Sequence, residues 1–143
     1  MRPDLVTLAK GTIHNPDEPR DFMKLKPVAA RVRIFARGRL LAQTRHALRL
    51  IEVGNDLYDP ALYIPEEDLA QPLERSEKAT FCPLKGAARY LSLPARDGAA
   101  AIDDIGWTYA DPLPVAAALK GRVAFDPTKV TIEEASDEPA QDD

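Results

Sequence analysis

Arg31-Val32-Arg33-Ile34-Phe35-Ala36-Arg37-Gly38-Arg39-Leu40-Leu41-Ala42 is the stretch that decides the fold. Arg31 and Arg33 alternate with Val32, Ile34 and Ala36. A strand sends successive side chains to opposite faces, so this spacing predicts a half-buried strand with an arginine-lined outer face. Gly38 tolerates positive φ, so Arg37-Gly38-Arg39 reads as a hairpin turn, with residues 40–43 as the returning strand.

The pattern repeats outward from that hairpin. Residues 47–53, 61–64, 78–82, 87–93, 105–109, 122–125 and 130–133 are short β-rich runs. Turn or proline signals separate them, such as Gly54-Asn55-Asp56 and Pro83-Leu84-Lys85-Gly86. Pro65-Glu66-Glu67-Asp68-Leu69 reads as one helical turn, since proline suits a first helical position and acids there complement the dipole. A short helix is expected near residues 112–119, capped by Asp111 and closed by Gly121. The expected fold is mostly β: a small tent-like or sandwich arrangement of short antiparallel strands with one short helix. Residues 1–28 read as an extended N-terminal arm, because the turn residues His14 to Pro19 and then Pro27 interrupt regular structure. Residues 29–135 read as a single β domain. Residues 136–143 read as a disordered acidic tail, since Glu133 to Asp143 carries six acids and no base.

Composition narrows the function classes. The 143 residues suffice for one domain. Cys82 is the single cysteine, so no internal disulfide forms. No apolar run approaches the roughly 20 residues that cross a bilayer, and the N-terminus lacks a secretory core, so a soluble, cytoplasmic, non-membrane protein is expected. Residues 1–50 hold eleven Lys/Arg against four Asp/Glu, and the remainder hold eight against nineteen. Such a split marks a basic surface, or two halves that lie side by side and neutralise each other. No aromatic stacking platform accompanies the arginines, which argues against nucleic acid as a partner. A zinc site needs three or four suitably spaced ligands, and Cys82 with the distant His14 and His46 does not supply them. No metal or cofactor is expected.

Four groups carry candidate chemistry. In Cys82-Pro83-Leu84-Lys85-Gly86, a nearby ammonium and free turn amides favour a thiolate, and Lys85 suits an anionic ligand. The plainer alternative is a small cysteine ending a strand beside a solvated lysine. Glu52 shares a strand face with His46, Leu48 and Leu50, where a carboxylate needs a partner. It would serve as a general base, or pair with an arginine or Lys85. Trp107 and Tyr109 share one strand face, and with Tyr63 and Tyr90 on other strands they would floor a ligand pocket or pack as core.

The run from Arg33 to Phe125 resembles a bacterial family of domains of unknown function, number 427, also labelled nucleotidyltransferase-like. The resemblance rests on Leu41-Ala42-Gln43-Thr44 with Ala47-Leu48 and Glu52, then Tyr63-Ile64-Pro65-Glu66-Glu67-Asp68. Thr80-Phe81-Cys82-Pro83-Leu84-Lys85-Gly86-Ala87-Ala88-Arg89-Tyr90 follows, then Trp107-Thr108-Tyr109-Ala110-Asp111-Pro112 and Gly121-Arg122-Val123-Ala124-Phe125. The chain departs from the family pattern at His46 and Leu84. The resemblance implies an all-β, tent-like fold. Its motif positions correspond here to Glu52, Tyr63, Cys82, Lys85, Gly86, Trp107 and Tyr109.

The leading expectation is a domain that binds a small or anionic ligand near Cys82 and Lys85, with Tyr63, Trp107 and Tyr109 in the binding surface. The alternatives are an enzyme, transferase included, using Cys82 or Lys85 with Glu52, and a protein-interaction module. Exposed sheet edges would also allow a homodimer.

Overall fold

Arg37 and Gly38 both have positive φ, 51° and 77°. This is the hairpin-turn combination whose twist matches the flanking strands. It joins β3 (Arg31–Ala36) to β4 (Arg39–Thr44). The structure is a computed structural model and describes residues 10–15, 17–54 and 58–136. Within them the fold is mostly β, as expected. The remaining strands are β1 (Ile13–Asn15), β2 (Glu18–Pro27), β5 (Leu48–Val53), β6 (Ala61–Pro65), β7 (Glu74–Cys82), β8 (Gly86–Leu93), β9 (Ile102–Thr108), β10 (Arg122–Phe125) and β11 (Thr131–Ala135).

The strands form two antiparallel sheets. The larger runs β1-β2-β5-β6-β10-β9-β8-β7, and the smaller runs β11-β3-β4. Val32, Ile34 and Ala36 on β3 are buried, and they pack with Ala42, Leu62, Ile64, Ile105, Val123 and Phe125 between the sheets. The opposite face of the larger sheet carries a second cluster, which includes Met23, Leu50, Tyr63, Leu84, Tyr109, Leu119 and Ala124. The larger sheet is therefore buried on both sides where β6 and β10 cross it. That explains why Leu62, Tyr63, Ile64 and Val123, Ala124, Phe125 form continuous buried runs and do not alternate.

The arginine face is paired with the acidic end of the chain. Glu133 stands opposite Arg33 in the β3–β11 ladder, and the two side chains meet at 2.9 Å. Arg49 grips both carboxylate oxygens of Glu134, at 3.2 and 2.5 Å. The basic and acidic halves lie side by side at these contacts.

Two local readings change. The stretch 1–28 read as an arm contains β1 and β2, and β2 pairs with β5 from Phe22 opposite Val53 to Pro27 opposite Leu48. Met23 on β2 is 1% exposed, so this strand contributes to the core. The helix near 112–119 is a kinked 3-10 helix, Pro114–Leu119; its N-cap is Leu113, with no side-chain capping bond, so Asp111 does not cap it. The single helical turn expected at residues 65–69 is present as a second 3-10 helix, Glu66–Asp68. Residues 1–9 of the expected arm, Asn55-Asp56 of the expected turn, and 137–143 of the expected tail lie outside the described residues. Among the described residues, no helix is long and apolar enough to cross a membrane.

Candidate functional site

The turn after β7 sets the site. Leu84 is 0% exposed and anchors the turn in the second cluster beside Ala116 and Leu119. The Lys85 carbonyl accepts the Leu113 N–H at 2.9 Å, which ties the turn to the loop after β9. Gly86 has φ +108°, and a Cβ there would lie 3.2 Å from the Leu113 nitrogen. Glycine is needed on both counts, the backbone conformation and the close approach. So fixed, Lys85 is 6% exposed rather than solvated. Its ammonium donates to the Glu52 carboxylate on β5.

That contact shows how the sheet is shaped. Strands β6, β10 and β9 lie between β5 and β8. In a flat sheet, β5 and β8 would stand about 19 Å apart, four strand spacings. A direct ion pair demands that the sheet curl and that the turn fold over its concave face. The side chains of Lys85 and Glu52 are 8% and 12% exposed. A pair so far from water holds together because each charge is the other's compensation.

The aromatic residues stand around the space between. Tyr90 pairs with Trp107 across β8 and β9, Trp107 with Ala124, and Ala124 with Tyr63. All four therefore sit on one face. Ala124 is 0% exposed and small, and Trp107 leans across it to donate its indole N–H to the Tyr63 hydroxyl at 3.0 Å. The Tyr90 and Trp107 ring centroids are 6.2 Å apart, and those of Tyr63 and Tyr109 6.4 Å. The Lys85 ammonium stands 6.0 Å from the centre of the Tyr109 ring. Burial pushes the Tyr63 hydroxyl well above its ordinary value of 10.0, and the Trp107 bond only partly offsets this. Burial does the same to Tyr109, reinforced by the neighbouring Tyr63, Cys82 and Glu52.

These groups line one hollow of about 730 Å3. Glu52, Cys82, Lys85, Tyr63, Trp107 and Tyr109, singled out in the sequence, all contribute to its wall. Tyr90 joins them, as do Arg49, Tyr58, Asp59 and Glu134, which were not expected at this hollow. Leu50 and Arg49 are chain neighbours on opposite strand faces, and both line the hollow. It therefore continues around the strand ends near Ala61 and Phe125. The face alternation of a single strand gives no hint of such wrapping.

The site defines a class: a two-sheet β domain whose larger sheet curls around an aromatic-walled hollow clasped by one buried ion pair. The chain belongs to the family described as domain of unknown function DUF427, whose model, named NTP_transf_9, matches residues 24–136. No curated protein matches it. The transferase label in that name would call for carboxylates gathered to hold metal ions against phosphates. Among the described residues no group of three or more His, Cys, Asp or Glu side chains is so placed. Asp68, in the acidic run Glu66-Glu67-Asp68, accepts the Thr44 hydroxyl at 2.6 Å.

Proposed function

We propose that this domain binds a small organic molecule in the hollow between the Trp107–Tyr63 wall and the Glu52–Lys85 pair. The observation that carries this reading is the convergence of five separate segments on one concave surface that sets Tyr63, Tyr90, Trp107 and Tyr109 beside a few fixed polar groups. Ligand sites have this composition, whereas a core of equal size is filled. The aromatic rings supply apolar contact, and the ion pair supplies orientation.

Cys82 is the sole thiol and lines the hollow, which gives a direct test. A screen of planar aromatic fragments is expected to yield compounds that raise the melting temperature and slow iodoacetamide alkylation of Cys82. At ten times its Kd, such a compound adds about 1.4 kcal/mol of stability. Stabilising compounds that leave the alkylation rate unchanged would place binding elsewhere and refute the reading.

A second reading keeps the hollow and makes it an enzyme site, with Cys82 as the nucleophile. The observation favouring it is the presence of a thiol in the same hollow as an ammonium and a carboxylate. Under this reading, an electrophilic substrate leaves a covalent adduct on Cys82 that mass spectrometry detects and Cys82→Ser removes. An interaction role for the arginine face has less support, because Arg33 and Arg49 are occupied by Glu133 and Glu134.

A further inference from the structure

The ion pair that clasps the hollow is matched in charge and only partly matched in hydrogen bonds. An ammonium has three protons to donate, and a carboxylate has two acceptor oxygens. The Lys85 ammonium donates to Oε1 of Glu52. Among the described residues, no other hydrogen bond involves that ammonium, and none reaches Oε2 of Glu52. The Tyr109 ring, centred 6.0 Å from the ammonium, takes up at most one of the two remaining protons. Both side chains line the hollow, and Oε2 is not sealed off within the protein. A pair this far from water is favourable to the extent that its remaining protons and lone pairs also find partners. The wall thus presents a donor and an acceptor side by side.

The charges on the wall do not call for an anion. Lys85 is held by Glu52, and Arg49 by Glu134. Asp59 adds a further carboxylate. The Tyr90, Trp107 and Tyr109 rings on the same wall favour a flat partner.

We propose that the hollow selects an uncharged, planar ring with a lactam edge: its carbonyl oxygen accepts from the Lys85 ammonium, and the adjacent N–H donates to Oε2 of Glu52. This rests on the reading of the hollow as a small-molecule site. It narrows the expectation of a small or anionic ligand to a neutral one that offers an acceptor and a donor together.

2-Quinolone has this edge, N-methyl-2-quinolone lacks the N–H, and 2-naphthoate carries a carboxylate in its place. Their binding to the intact protein is followed by the single indole N–H signal of Trp107. 2-Quinolone is expected to move that signal saturably and to bind about tenfold tighter than its N-methyl form, the effect of one hydrogen bond to a charged group. Its N–H proton, when bound, is expected downfield of its position in dimethyl sulfoxide. Glu52→Gln puts an amide NH2 in place of the acceptor and is expected to abolish the preference. The proton signal needs no variant, so a Glu52→Gln protein that fails to fold does not remove the test. Equal binding of the two quinolones, a bound N–H at its dimethyl sulfoxide position, a preference that survives Glu52→Gln, or tighter binding of 2-naphthoate would overturn the proposal while leaving a small-molecule site in place. If none of the three probes moves the Trp107 signal or slows alkylation of Cys82, the small-molecule reading itself fails, and this proposal with it.

Discussion

Lys85, in the turn before β8, meets Glu52 on β5 across three intervening strands, and the hollow exists because that contact closes over the curled sheet. The two residues are 33 positions apart in the chain. Their pairing couples the shape of the site to the stability of the fold.

Lys85→Met tests that coupling. It keeps the length of the side chain and strands the Glu52 carboxylate at 12% exposure. Removing one partner of a fully buried pair costs roughly 3–5 kcal/mol, and the residual solvent contact lowers the expected loss to about 2–3 kcal/mol. Adding Glu52→Leu is expected to recover a large part of it. Urea unfolding of the four proteins in the cycle measures the coupling; additive losses would contradict it.

The small side chain at 124 is what lets Trp107 reach Tyr63. Ala124→Leu places a branched group between them on a fully buried face. The expected loss is about 1–3 kcal/mol, with a red shift in Trp107 emission as the indole is pushed outward. Unchanged emission would show that the bond does not depend on the gap over Ala124.

Gly106 is constrained by its neighbour strand. A Cβ there would lie 2.5 Å from the Ala124 carbonyl oxygen, a backbone atom that no rotamer change relieves. Gly106→Ala is therefore expected to push β9 from β10 and to lower stability by about 1–3 kcal/mol. Thermal melting checks this, and a melting temperature equal to wild type would contradict the close approach.

Alkaline titration reads the buried tyrosines. Tyr63 and Tyr109 ionise well above 10.0 in the folded chain because burial opposes the phenolate. The unfolded chain releases these protons first. Their contribution is thus intact below pH 10 and is lost as pH rises from there toward the folded-state values. Each tyrosine contributes up to about 1.4 kcal/mol per pH unit in that range. Tyr63→Phe is expected to flatten the decline measured by urea unfolding above pH 10. An unaltered slope would show that Tyr63 ionises freely in the native state.

The strands from β3 onward were legible because alternation and punctuation agreed. Val32, Ile34 and Ala36 marked an inner face, and Gly38 and Gly121 marked turns that the structure places at positive φ. β2 was hidden. Its run Glu18–Pro27 is rich in charge and bounded by proline, and it becomes a strand only because β5 offers a partner. Propensity is silent on such pairing. The candidate residues Glu52, Cys82, Lys85, Tyr63, Trp107 and Tyr109 were legible as unusual chemistry, and a pairing of Glu52 with Lys85 was one of the stated readings. Their closeness depends on sheet curl and on the burial of Leu84, which are properties of the whole packing. The contributions of Arg49, Tyr58 and Glu134 were not legible, because the hollow passes around strand ends.

The most direct test of the small-molecule site is crystallographic soaking of the intact chain with planar aromatic fragments. The expected result is fragment density between the Trp107 indole and the Lys85–Glu52 pair. Fragments bound only on the outer surface, with side chains closed over the space beside Trp107, would contradict it.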